Sequence, residues 1–408
     1  MDLSEMESKK EGLLLGIQIL DLADEKGSFC SKLLADLGAR VIKVERPGGD
    51  PSRRAGPFLE DLSGTRESLL FYHNNTNKLG ITLNLEYKDG KEIFLKLLQK
   101  TDIVVESFSP DYVREINLGF DVLSLINPRL IVVSITGFGQ NGPRSQYKSC
   151  DLVASAFGGQ MSVCGSSSTP PLKPFGEQPY YTASLFAAVG ILLALRKRAQ
   201  TGTGEHLDIS LQEAVVSTMD DVMVRFFYDK VIAKRQGNLY GNKSFAIFQC
   251  RDGPILISIS QQWEVLVEWV DSEGMAEDLK DEKYREEEYR LRHLDHILDV
   301  LKRWTRSHTT RELFEQGQNL RFPWATVSSP RDVLNNPQLE ARGFFTIVEH
   351  PEMGRPVFYP GSPYRFSLSR GRRWKRAPLV GEDNAAIYRG ELGLSEEEYR
   401  RLSSSNVI

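Results

Sequence analysis

The first third of the chain alternates short apolar runs with amphipathic stretches of helical length, and this alternation leaves few folds open. Gly16 to Leu20 (GIQIL) reads as a buried strand, Phe29 to Leu37 as an amphipathic helix and Arg40 to Val44 (RVIKV) as the next strand. After a loop rich in Gly, Pro and Arg, Gly80 to Leu85 alternates like a strand and Lys88 to Gln99 like a helix. Asp102 to Val105 and Arg129 to Ser134 are further strands. Strands separated by helices of this length pair in parallel through right-handed crossovers. The expectation is an α/β domain of Rossmann-like character with a parallel sheet. No GxGxxG follows any of these strands. Gly137-Phe138-Gly139-Gln140-Asn141-Gly142-Pro143 is glycine-rich but opens a loop instead of a helix, so it does not read as a dinucleotide fingerprint.

Farther on, Tyr181 to Arg198 reads as a long apolar helix, broken by Gly202-Thr203-Gly204. A short strand, Glu205 to Ser210, and a second long helix, Leu211 to Tyr228, follow. From about Ile232 the character changes to a loop (QGNLYGNKS), a short sheet at Ile255 to Ile259 and a charged helical stretch, Asp271 to Arg306. That stretch mixes both signs at i,i+4, as a solvated surface does. The expected division is a large Rossmann-like domain over 1–228, a smaller α+β domain over 229–330, and a C-terminal return over 331–408. The return is loop-rich, with Pro351, Pro356, Pro360 and Pro363, and closes with a helix, Ser395 to Leu402, that has an N-cap and an acidic first turn.

Composition narrows the function. With 408 residues, 40% of them hydrophobic and 26% charged, the chain suits a soluble globular protein with a sizeable core. A net charge of -4 argues against a nucleic-acid partner. The apolar run Leu185 to Leu195 is too short to span a bilayer, and no signal peptide precedes the first strand, so a cytoplasmic chain without a membrane partner is expected. Met1 to Lys10 reads as a polar, frayed tail. Cys30, Cys150, Cys164 and Cys250 are scattered, as reduced thiols are. His293 and His296 could pair on a metal, but no companion ligands accompany them. They read as a solvated helix face, and no metal site is expected.

Several separate stretches carry a resemblance: LLADLGARVIKVERPGGDPSR, NTNKLGITLNL, INPRLIVVSITGFGQNGP, CDLVASAFGG, TGTGEHLDISLQEA and GEDNAAIYRGELGLSEEEYRRL. In order and spacing they resemble the family III CoA-transferases, also called the CaiB/BaiF family, from about Gly16 to the C-terminus. The resemblance implies an open-ring monomer threaded through its partner as an interlocked dimer. It also implies transfer of CoA from an acyl-CoA to an acceptor carboxylic acid, with the CoA thioester as substrate and no separate cofactor. In the family an aspartate attacks the thioester to give a mixed anhydride and a free CoA thiolate. The thiolate returns to form an aspartyl thioester, which the acceptor then attacks.

The family's aspartate lies seven residues before a pair of alanines. Here that pair is Ala187-Ala188, and the position holds Tyr180, a phenol that cannot form an acyl thioester. Glu177 is the nearest carboxylate in sequence. Racemases of the same superfamily have a histidine before the aspartate of CDLVAS; here it is Cys150, and Asp151 reads as an N-cap. In the stretch Ser107 to Glu115 the family's basic residue, glycine and arginine are Ser109, Asp111 and Glu115, with Arg114 turned away. Thr76 and Leu79 stand where basic residues are usual, and the first turn is Asp24-Glu25-Lys26-Gly27-Ser28. Arg46, Lys78, Phe108 and Lys148 still match the family's CoA contacts. Tyr180, Tyr181 and Phe186 are expected in the core.

The resemblance thus implies a subunit with no catalytic residue of its own, paired with an aspartate-bearing paralogous chain. The subunit type it resembles implies succinyl-CoA as donor and benzylsuccinate as acceptor, in anaerobic aromatic degradation. Two alternatives stay open: a homodimeric transferase using Glu177, and a non-catalytic protein that senses acyl-CoA.

Overall fold

The computed structural model describes residues 12–59, 67–241, 243–368 and 374–408; the polar Met1–Lys10 segment lies outside them. The chain forms two compact units. The larger comprises Met1–Met161, Lys173–Ile232 and Arg342–Ile408, the smaller Ser162–Leu172 and Ala233–Ala341.

In the larger unit a six-stranded sheet is built from β1 (Gln18–Leu22), β2 (Arg40–Glu45), β3 (Leu79–Thr82), β4 (Ile103–Glu106), β5 (Ile131–Thr136) and β6 (His206–Ser210). Every pairing is parallel and the order is β3-β2-β1-β4-β5-β6. Strand order reverses between β1 and β4, and in open α/β sheets the crevice at such a switch point is where ligands bind. The strands are apolar on both faces because both faces are covered. Ile19, Val41, Ile103, Val105, Ile131, Val133 and Ile135 pack on one side with α1 (Ser28–Asp36) and a long helix, Gln178–Thr201. Leu20, Ile42, Val44, Ile81, Val104 and Val132 pack on the other with α2 (Lys88–Leu98) and with Ile387, Tyr388, Leu402, Val407 and Ile408 of the C-terminal return.

The first strand begins two residues later than its apolar run, because Gly16 sits at φ +84° in a turn. The expected helix Leu211 to Tyr228 is two helices, Leu211–Ser217 and Asp221–Asp229. Between them the Thr218 hydroxyl donates to the Val215 carbonyl and Asp220 takes φ 46°, so local polar groups compete with the helix ladder.

The smaller unit holds an antiparallel sheet of Leu239–Tyr240, Phe245–Gln249, Pro254–Ser258 and Ala325–Thr326. The charged stretch Asp271 to Arg306 is not one helix. Its last part, Leu294–Thr305, buries Ile297, Val300, Leu301 and Trp304 at helical spacing beneath a charged outer face. His296 pairs with Asp278 at 2.5 Å, and the His293 ring stacks on Tyr289. Among the described residues no group of three His, Cys, Asp or Glu side chains is placed to hold a metal ion. Residues 162–172, expected with the large domain, group with this unit. The Arg235 guanidinium donates to the carbonyls of Ser166 and Thr169, and Gly237 N–H donates to the Gly165 carbonyl.

Candidate functional site

Two loops meet at the switch point. The turn after β1 carries Asp24, and the segment after β4 carries Ser107 and Phe108. The Ser107 hydroxyl accepts from Asp24 N–H at 2.8 Å and donates to the Asp24 carboxylate at 2.7 Å, tying the two loops together. Beside them lies a cavity of about 320 Å3 whose walls include Leu22, Asp24, Arg46, Asp50, Phe108 and Tyr112. Arg46 lies across the Tyr112 ring, 5.8 Å from its centroid, and donates to the Tyr112 hydroxyl at 3.3 Å. It also pairs with Glu86 at 3.3 Å. Tyr112 packs in turn on Phe108, with ring centroids 5.1 Å apart. Guanidinium and two rings thus form one wall on which a planar group could stack. Nearby, Glu45 is held by a two-pronged contact from Arg53 at 2.6 and 2.7 Å.

Ser109 and Asp111, which stand where the family has a basic residue and a glycine, serve the helix α3 (Pro110–Glu115). Ser109 is its N-cap, accepting from Tyr112 N–H, and Asp111 supplies the acidic first turn and pairs with Arg114 at 3.4 Å.

Of the four expected CoA contacts, Arg46 and Phe108 line this cavity. Lys78 does not. Its ammonium is fully buried and directs three hydrogen bonds inward, to Asp21 at 2.8 Å, the Ser28 carbonyl at 2.8 Å and Asn75 Oδ1 at 2.7 Å. All three donors are used, so Lys78 is a core ion pair. Burial pulls its ammonium down to about 8 against the pull of Asp21. Lys148 is an exposed side chain in the loop after β5 and does not line this cavity.

Tyr180, in the first turn of the long helix Gln178–Thr201, is buried. Its hydroxyl oxygen accepts from Asp151 N–H at 2.9 Å. Burial and the Glu25 carboxylate push the phenol further up from an already high value, so it stays neutral. Asp151 is the first residue of the helix Asp151–Phe157; the N-cap is Cys150, an exposed thiol that makes no capping bond. The carboxylate of Asp151 is therefore not a cap. One oxygen pairs with Lys173, whose ammonium also donates to the Gly176 carbonyl at 2.5 Å, and the other is buried without a partner. Glu177 is half-buried in the turn before the helix. Burial first, then Asp151 and Glu25, raise its carboxyl above the ordinary range. Tyr181 sits edge-on to Phe29 at 4.8 Å, whereas Phe186, expected in the core, is 43% exposed.

Lys173 and Glu25 carry no sequence signal beyond being charged; they matter only because the fold brings them to Asp151 and Tyr180. Chemically, the arrangement offers a neutral phenol, one engaged cation and crowded carboxyls, with no carboxylate at position 180.

Comparison with known proteins agrees over nearly the full length. The model of CoA-transferase family III matches residues 14–384. Subunit BbsE of succinyl-CoA:(R)-benzylsuccinate CoA-transferase from Thauera aromatica is 33% identical over 379 residues, covering 91% of this chain and 92% of that subunit. Formyl-CoA:oxalate CoA-transferase from Streptomyces avermitilis is 33% identical over 415 residues, covering 97% of this chain and 99% of that protein. The crystal structure of a CaiB/BaiF family protein from Brucella suis superposes with a TM-score of 0.85 at 28% identity, covering 93% of this chain and all of that one.

Proposed function

The chain belongs to CoA-transferase family III, and from that premise we propose that it is the non-catalytic subunit of a heteromeric transferase. An aspartate-bearing paralogous chain would supply the nucleophile. The observation that carries this reading is Tyr180, a buried neutral phenol fixed by Asp151 N–H where the resemblance places the attacking carboxylate. A phenol ester in place of an aspartyl thioester would not return CoA to an acceptor acid, so covalent transfer by this chain is lost.

The surroundings fit that loss. Ser109 and Asp111 are spent on the helix α3, and Lys78 on the core. Arg46 and Phe108 remain available to hold part of an acyl-CoA, with Lys148 as an outlying cation. One face of the long helix Gln178–Thr201 exposes Leu185, Phe186, Val189, Leu192 and Leu193, between 42% and 63% each. Such an apolar stripe suits coverage by a second chain, as in an interlocked dimer. Similarity to a subunit of the benzylsuccinate enzyme favours succinyl-CoA as donor and benzylsuccinate as acceptor.

The test is co-expression with the nearest aspartate-bearing paralogue, incubation with succinyl-CoA and intact-mass measurement of both chains. A CoA thioester on the partner alone, with this chain co-purifying, is the expected result. An adduct on this chain, abolished by Glu177→Gln, would sink the reading and make Glu177 the nucleophile.

A further inference from the structure

A second cavity, of about 460 Å3, lies over one face of the sheet, against Leu22 of β1, Val104 and Glu106 of β4, Val132 and Ser134 of β5, His206 at the start of β6, and α3. It shares Leu22 and Phe108 with the Arg46 cavity and is otherwise separate. Its lining is mostly apolar, with Phe94, Val104, Val113, Phe120 and Val132 among the walls. Six polar or charged residues line it: Glu106, Arg114, Asp121, Ser134, Gln140 and His206. Glu106, Ser134 and His206 lie together. The Glu106 carboxyl accepts from Phe108 N–H at 2.7 Å and from the Ser134 hydroxyl, and Ser134 Oγ lies 2.9 Å from His206 Nε2. Ser134 Oγ and His206 Nε2 thus share a hydrogen bond, and the imidazole is held flat against Phe120 with centroids 5.5 Å apart. Gln140 differs. Its backbone N–H is anchored on Asp208 at 2.9 Å, but its Nε2 is buried with no partner. A buried donor left unpaired is costly unless something fills the role.

We propose that this cavity is a binding site for a neutral one- or two-ring apolar molecule carrying a hydroxyl, which donates to the Glu106 carboxyl and accepts from Gln140 Nε2. The volume lies within the ordinary range for small-ligand sites, and the composition, apolar walls with a few convergent polar groups, is typical of them. Charge decides the head group. Burial, with Asp24 and Asp208, favours the neutral form of Glu106; of the two other charged residues on the lining, Arg114 is paired with Asp111 and Asp121 adds a further negative charge. A carboxylate brought here would meet acidic groups with no committed cation. A hydroxyl is satisfied on both sides. The site lies outside the acyl-transfer chemistry and does not depend on which chain carries the aspartate.

Calorimetric titration of the full chain with 2-naphthol, with 2-naphthoate as the charged control, tests the proposal. Saturable one-to-one binding of 2-naphthol and much weaker binding of 2-naphthoate are expected. Gln140→Leu, which removes one hydrogen bond, should weaken 2-naphthol about tenfold. Val113→Trp, which fills the cavity from α3, should abolish binding; Gln140→Leu keeps the test intact if that variant fails to fold. Absence of saturable binding, unchanged affinity in Gln140→Leu, or a preference for 2-naphthoate would each overturn the proposal.

Discussion

Lys78 and Arg46 are both cations that match the family's pattern, yet their surroundings give them different work. Lys78 faces Asp21 inside the core, so Lys78→Met would leave a buried carboxylate without its cation. The expected cost is about 3–5 kcal/mol, read as a lower denaturant midpoint. Arg46 is largely exposed, and Arg46→Ala should leave folding within about 0.5 kcal/mol of the parent. In complex with the partner it should weaken acyl-CoA binding about tenfold by calorimetry, the worth of one charge-assisted contact. Equal effects of the two changes on binding would contradict this division. Glu106 gives a pH signature. Burial pushes its carboxyl up to about 7, whereas the unfolded chain releases that proton near about 4.3. Its contribution is thus fully present below the unfolded value and is lost as pH rises through about 7, by roughly 4 kcal/mol in all. Glu106→Gln should flatten the stability profile between these values and raise stability at pH about 8, measured by urea unfolding across the range.

The elements themselves follow from short-range chemistry. The C-terminal helix Glu396–Ser404 starts with a full capping box, Ser395 and Glu398 each bonding the other's backbone, as its Ser-Glu-Glu-Glu heading leads one to expect. The break at Gly202-Thr203-Gly204 has a stricter cause. Gly202 ends the helix at φ +78°, and a Cβ on Gly204 would fall 1.8 Å from the Leu130 carbonyl oxygen, a backbone atom that cannot swing aside. Gly204→Ala should therefore pry β6 from the start of β5 and cost at least about 3 kcal/mol, the upper end of overpacking effects. A thermal melt would show it, and an unchanged midpoint would mean that the β5–β6 edge yields more than its backbone contacts suggest.

Taken whole, the molecule leaves an apolar stripe along its longest helix. Gln178–Thr201 is long and apolar enough, by length and composition, to cross a membrane, although its apolar run Leu185 to Leu195 is short. Its inner face, with Ala183, Ala187, Ile191 and Ala194, is nonetheless packed on the sheet, as in a core helix of a globular protein. Covering the outer face with a partner subunit is the proposal made above. Val189→Glu with Leu193→Glu should then abolish co-purification with the aspartate-bearing chain while leaving far-UV circular dichroism unchanged. Co-elution of the double variant on size exclusion would remove this stripe from the interface.

The alternation of strand and helix, the lack of a phosphate-cradling glycine loop and the phenol at position 180 could all be read along the chain, because each depends on residue type and local spacing. The meeting of distant side chains could not. Lys173 reaches Asp151 across 22 positions, and Lys78 reaches Asp21 across 57. Nothing in the local pattern distinguishes Lys78, which is buried, from Arg46, which lines a cavity, since the difference arises from the side of β1 and β2 to which the crossovers deliver them. Glu106, Ser134 and His206 are likewise unremarkable strand residues until the parallel order β1-β4-β5-β6 sets them side by side. Periodicity and residue chemistry act over a few positions and so determined the elements and the residue type at position 180. Burial and pairing depend on contacts between strands far apart in sequence, and only the tertiary structure decided those.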